Sequence, residues 1–214
     1  MGNNPEMFDA AFRAKLRELL IWRRDVRRFR SDALPAGTLE RLIEAACLAP
    51  SVGLSQPWRF VIVDDDNRRR AVLDDFTSCN ADALRAYAEG LAGRYAKLKL
   101  AGLAEAPCHL AVFADPETEI GHGLGRRTMP EMLEYSVVTA IHTLWLAARA
   151  EGIGMGWVSI LNSEKIRKLL DVPESWRLLG YLCLGYPQTD SDTPELQRAG
   201  WETRQPADVF ILRR

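Results

Sequence analysis

Glu131-Met132-Leu133-Glu134-Tyr135-Ser136-Val137-Val138-Thr139-Ala140-Ile141-His142-Thr143-Leu144-Trp145-Leu146-Ala147-Ala148-Arg149-Ala150 is the stretch that decides the fold. It holds no glycine or proline, and its apolar residues leave almost no polar face. A helix that is apolar all round must be buried on all sides. In a chain of 214 residues that burial is most easily completed by a second copy, so the stretch predicts a central helix and a homodimer. Glu134 and Arg149 keep the uncharged run below the roughly 20 residues a bilayer requires, so it is not a membrane span.

Glu151-Gly152 ends this helix, and Ile153 to Ile160 reads as a strand. Gly154 and Gly156 within it mark close approach by another backbone or a ligand. Further strands are expected at Arg59 to Val63, His109 to Ala114 and Leu178 to Leu184. Helical spacing marks Phe8 to Trp22, a helix capped by Thr38 and carrying Leu39, Leu42, Ile43, Ala46 and Cys47, Asn67 to Phe76, Ala81 to Leu103, and a short helix capped by Asn162 or Ser163. Val209 to Leu212 forms an apolar tail able to pair with a sheet edge. The expected fold is α+β: a mixed four- to five-stranded sheet flanked by helices, in one domain over residues 1–214 with an extended C-terminal arm over about 187–214.

Charges nearly balance, with 28 Lys+Arg against 29 Asp+Glu, which argues against a dedicated nucleic-acid binder. The first residues lack the basic and apolar regions of a signal peptide, and the four cysteines form no CxxC pair; a cytoplasmic protein is expected. Cys47, Cys108 and Cys183 read as small core residues, and Cys79 as part of a polar loop. With only three scattered histidines no metal site is expected, and His109 and His142 read as structural. No phosphate-binding glycine motif follows a strand, and Gly121 to Gly125 reads as a loop.

Against this balanced background, Arg23-Arg24-Asp25-Val26-Arg27-Arg28-Phe29-Arg30 packs five arginines into eight residues. On composition alone it is either a solvated charged turn or an anion site. Three other motifs accompany it: Pro50-Ser51-Val52-Gly53-Leu54-Ser55-Gln56-Pro57-Trp58, the helix at Glu131 to Ala150, and Gly154-Met155-Gly156-Trp157-Val158-Ser159. Their order and spacing over nearly the whole chain resemble the FMN-binding nitroreductase family. Leu54 and Ser159 stand where ordinary members tend to carry Asn and Pro. With Arg-Arg-Asp-Val-Arg and the run from Trp145 to Ile160, these departures resemble the flavin-fragmenting branch. Its members turn reduced FMN and O2 into 5,6-dimethylbenzimidazole, the lower ligand of vitamin B12, and erythrose 4-phosphate.

The resemblance implies FMN as the ligand, reduced FMN and O2 as substrates, a homodimer whose subunits share each flavin, and a separate NAD(P)H flavin reductase that supplies the reduced form. It implies no metal, nucleic acid or membrane. Guanidinium forks match phosphate oxygens, so Arg23, Arg24 and Arg27 are expected at the phosphate and the flavin pyrimidine edge, within the motif that includes Val26, and Arg204 is a second phosphate candidate. Ser51, Gly53 and Gln56 offer groups for ring and ribityl polar atoms. Leu100 and Tyr95, from the segment Ala81 to Leu103, are candidates for covering the flavin. The ribityl carbon on the ring must lose protons, which requires a base; Asp25 is assigned that general acid/base work, and Ser159 a hydrogen bond to the ring or a proton relay. The alternative is a conventional FMN-dependent NAD(P)H reductase of nitro compounds or quinones.

Overall fold

A computed structural model describes residues 8–86, 93 and 102–214. Helix α1 (Ala10–Trp22) opens it, capped by the Asp9 carboxylate, which accepts from the Phe12 N–H at 2.7 Å. It has the expected apolar spacing, yet none of its residues is buried. Helix α2 (Thr38–Ala46) buries Leu39, Leu42 and Ala46. Its cap is Gly37 at φ 77, not Thr38, because the Thr38 side chain is buried as the first helical residue.

The sheet has four strands, β1 (Trp58–Ile62), β2 (Cys108–Ala114), β3 (Gly154–Val158) and β4 (Arg177–Gly185), in the order β1-β2-β4-β3. All neighbours are antiparallel, so the sheet is not mixed as expected; among the described residues the one parallel link is a bridge between Asp25 and Met155. Alternation along β2 and β4 sorts the core into two layers. Leu110, Val112, Leu182 and Leu184 pack with α2 and the central helix, while Ala111, Phe113, Tyr181 and Cys183 pack with the helices on the other face. That other face is covered by α3 (Asp66–Ala86), α4 (Gly102–Glu105) and α6 (Ser163–Leu169). The Asn162 carboxamide caps α6, accepting from the Lys165 N–H at 3.0 Å.

Helix α3 corrects the expectation of a break near Cys79. Thr77 donates its hydroxyl to the Leu73 carbonyl at 2.8 Å, and the Cys79 thiol lies 3.8 Å from the Asp75 carboxylate, so polar side chains are satisfied along the helix without interrupting it. The segment expected to continue to Leu103 lies largely outside the described residues.

The central helix, α5 (Met132–Ala150), buries Leu133, Ser136, Val137, Ala140, Ile141, Leu144 and Ala148. It is not buried all round. Tyr135, Val138, Thr139 and His142 form an open stripe, so His142 is exposed in this chain and not buried with the helix. Cys47 is likewise exposed, whereas Cys183 is buried. The C-terminal arm starts at the Phe29–Pro187 bridge and carries a short helix, α7 (Glu195–Arg198). The tail does not join the sheet: residues Ala207–Phe210 form a 3-10 turn, and Val209 to Leu212 are exposed. The outer edge of β3 is already taken by residues 25 and 26.

Candidate functional site

The arginine segment leaves α1 in extended conformation and lies along β3. The Val26 N–H donates to the Met155 carbonyl at 3.0 Å. Gly154 and Gly156 exist for this contact: a Cβ on Gly156 would lie 2.3 Å from the Val26 carbonyl oxygen, and one on Gly154 would lie 2.7 Å from Val26 Cγ2. Further along, Phe29 is buried and its N–H donates to the Glu105 carboxylate at 3.0 Å. The arm holds the other side, through Arg30 N–H to the Tyr186 carbonyl (2.8 Å) and Gln188 N–H to the Arg28 carbonyl (3.1 Å).

Strapped this way, the segment turns its charges into two adjoining cavities beneath the arm. One, of ≈ 130 Å³, is walled by Arg23, Arg24, Asp25, Arg27, Arg204 and the start of α7. The other, of ≈ 350 Å³, shares Arg24, Asp25 and Arg27 with it and extends to Trp145 and Met155. Burial, followed by the charge of Arg204, holds the Arg23 and Arg24 guanidiniums below their usual value. Arg24 donates to the Asp192 carbonyl (2.9 Å from Nε) and to the Arg23 carbonyl (2.7 Å). Arg27 is deeply placed, its side chain 11% exposed, and its Nη1 is buried without a partner. A buried guanidinium N–H without a partner, on a cavity wall shared with Arg23, Arg24 and Arg204, fits an anion.

Asp25 sits in the middle with both carboxylate oxygens engaged. Oδ1 accepts from the Trp157 N–H at 3.1 Å, and Oδ2 accepts from Arg27 Nε at 3.1 Å. The carboxylate therefore orders Arg27 in the free protein while facing both cavities. The Glu195 carboxylate, 4.0 Å from Arg27 Nε, approaches from α7. Sequence reasoning did not single out Glu195 or the Trp157 N–H; nothing local in the sequence marks either.

Ser51, Gly53 and Gln56 are elsewhere. Their loop is pinned to the first half of α5: the Val52 N–H donates to Ser136 Oγ at 3.0 Å, and Thr139 Oγ1 donates to the Pro50 carbonyl at 2.9 Å. Ser51 Oγ accepts from the Gln56 N–H at 3.1 Å. Gly53, Leu54 and Gln56 all have positive φ (57, 54 and 43). The loop Gly121 to Gly125 clasps them, since a Cβ on Gly121 would lie 2.3 Å from the Gly53 carbonyl oxygen. The arginine segment meets α5 at Trp145, about 13 Å further along the helix axis. Neither cavity beneath the arm is lined by a residue of the loop Pro50 to Trp58. Ser159 follows β3, is exposed, and lines neither cavity that Asp25 lines. Leu100 and Tyr95 lie outside the described residues.

His109 is buried, with Nδ1 3.0 Å from the Tyr181 hydroxyl; burial lowers its pKa to about 4. It is a structural histidine, as expected.

Residues 20–186 match the sequence model of the nitroreductase family. The chain belongs to this family. It is 55% identical over 203 residues to a 5,6-dimethylbenzimidazole synthase of Rhodospirillum rubrum, covering 95% of this chain and 96% of that protein. A 5,6-dimethylbenzimidazole synthase of Rhodobacter capsulatus is 46% identical over 201 residues, covering 94% and 97%. Among solved nitroreductase-like folds, a protein from Streptococcus mutans superposes with a TM-score of 0.71 at 19% identity over 94% of this chain and 98% of that one. An oxidised iodotyrosine deiodinase bound to FMN and 3-iodo-L-tyrosine superposes with a TM-score of 0.67 at 26% identity, over 82% of this chain and 91% of that one. The α+β sheet-and-helix architecture expected from the sequence is thus that of the nitroreductases.

Proposed function

We propose that this nitroreductase-family chain is a 5,6-dimethylbenzimidazole synthase that fragments reduced FMN with O2, giving 5,6-dimethylbenzimidazole and D-erythrose 4-phosphate. The observation that carries the reading is the convergence of Arg23, Arg24, Arg27 and Arg204 around Asp25, with Arg27 Nη1 left open. The full-length likeness to proteins bearing that name supports it. Reduced FMN supplies the ring and ribityl carbons of the products and the electrons that O2 accepts.

The residues divide the work. Arg23, Arg24 and Arg204 hold the phosphate dianion, and Arg27 adds its open Nη1 to the same cluster. The Trp157 N–H keeps Asp25 Oδ1 oriented. When Arg27 turns toward an anion, Asp25 Oδ2 is freed to take a proton from the ribityl carbon attached to the ring. Ser159 serves as hydrogen-bond donor or relay at the outer end of β3. Ser51, Gly53 and Gln56 belong to the same site only when a second copy supplies them, so the working unit is a homodimer closed over the open stripe of α5. A separate NAD(P)H flavin reductase provides the reduced flavin.

Mixing the protein with chemically reduced FMN and air, followed by chromatography, yields 5,6-dimethylbenzimidazole on this reading; recovery of oxidised FMN alone overturns it. A conventional nitro or quinone reductase would instead oxidise NAD(P)H rapidly without fragmenting flavin.

A further inference from the structure

Trp145 presents an indole from the second half of α5 and contacts the arginine segment at Arg23 and Arg24. Its Nε1–H donates to the Arg24 carbonyl at 3.2 Å. The Arg23 guanidinium lies over its ring, 4.5 Å from the centroid. Its ring is 6.3 Å from that of Trp157, whose backbone N–H orients Asp25. Leu144 and Ala148 on either side are fully buried, so the helix cannot turn away.

We propose that Trp145 is a positioning residue for the phosphate end of the site, acting through Arg23 and Arg24. The inference rests on the reading of that cluster as the holder of a phosphate monoester. Arg23 has no ion pair within 4 Å among the described residues; it shares a cavity wall with Arg24 and Arg204, whose charge outweighs that of Asp25 on its guanidinium. Like charges this close repel, and free arginine side chains gain rotamer entropy by swinging into water. The indole face offers a guanidinium an attractive surface without adding a negative charge that would repel phosphate. The Nε1–H, which only donates, fixes the Arg24 backbone. Both contacts hold the guanidiniums in place before ligand arrives, which lowers the ordering cost of binding.

The test compares FMN with riboflavin, which lacks the phosphate, by titrating each into the full-length protein and following flavin fluorescence. Wild type, Trp145→Phe, Arg23→Ala and Trp176→Phe are measured in parallel; Trp176 lies against Phe113 in the other core layer and controls for loss of an indole. Trp145→Phe keeps a ring and loses the Nε1–H. It is expected to weaken FMN about tenfold and leave riboflavin unchanged. Trp176→Phe alters neither affinity ratio. Equal weakening of FMN and riboflavin by Trp145→Phe reduces Trp145 to general packing and overturns the proposal, as does FMN affinity equal to wild type. If wild type and Arg23→Ala both fail to distinguish FMN from riboflavin, the phosphate reading itself falls, and the proposal with it.

Discussion

The arginine segment and the loop Pro50 to Trp58 are both motif-rich, both irregular and both anchored on α5, yet one chain completes only the first. Residues 23–30 find partners from β3, α4, α5 and the arm, and leave a charged cavity. The loop is held as firmly, by Ser136, Thr139 and the Gly121 clasp, but its own polar side chains reach no shared cavity. Rigidity is therefore no guide to completeness. The loop keeps three positive-φ residues at Gly53, Leu54 and Gln56, and on the proposed homodimer that shape serves the flavin site of a second copy. The exposed stripe of α5 lies beside it, and the proposed homodimer closes over that stripe.

The sharpest way to break this contrast is at Asp25. Asp25→Asn keeps an oxygen for the Trp157 N–H and loses the base. FMN binding should persist while dimethylbenzimidazole formation drops about 1000-fold, within the range of general acid–base catalysis. Turnover near wild type would leave Asp25 as no more than an ordering partner for Arg27.

Gly156→Ala and Gly121→Ala separate the two regions. Each adds a Cβ only 2.3 Å from a carbonyl oxygen, that of Val26 in one case and Gly53 in the other. Each should cost about 1–3 kcal/mol in urea unfolding. Gly156→Ala lifts the arginine segment, so it should abolish the preference for FMN over riboflavin. Gly121→Ala disturbs the loop and should weaken both ligands alike. Interchanged outcomes would assign the phosphate to the wrong region.

Much of this was legible beforehand. The apolar run of β2, the central helix and the positions of the strands follow from local pattern. What sequence could not give is the object of a contact. Gly154 and Gly156 announced a close approach, but only the fold identifies Val26 as what approaches. Polar residues near Cys79 suggested a loop because nothing local shows that they bond along α3. Glu195 reaches Arg27 across 168 residues, a pairing set by the arm's path and not by any local signal. The mostly apolar look of α5 overstated its burial, because Tyr135 and Val138 read as core residues in the sequence yet lie on the exposed stripe with Thr139 and His142.

A control outside both regions comes from His109. Its folded pKa is about 4 against a usual 6.5, because burial opposes charging. Between these values the unfolded chain binds a proton that the folded chain refuses. This contribution is therefore fully present above pH 6.5, is lost as pH falls through the window, and levels off below about 4, amounting to about 3 kcal/mol. His109→Phe should flatten that part of the stability–pH curve while costing about 1 kcal/mol at pH 7 for the lost Tyr181 hydrogen bond. An unchanged acid slope in the variant would move the acid sensitivity to other groups.

The smallest effect is expected at Ser159, which is exposed and meets neither arginine cavity of its own chain. Ser159→Ala should leave stability within about 0.5 kcal/mol of wild type, as for other surface changes. If a second copy's flavin reaches the end of β3, fragmentation should still slow by about tenfold with binding nearly unchanged, the range of one lost hydrogen bond to a charged or reacting group. A slowing that appears only in the dimer, and disappears when Val138→Glu opens the α5 stripe, would place Ser159 and the loop Pro50 to Trp58 at the same shared site. Equal losses in binding and turnover would instead make Ser159 a simple contact, and the two regions would have to meet by another route.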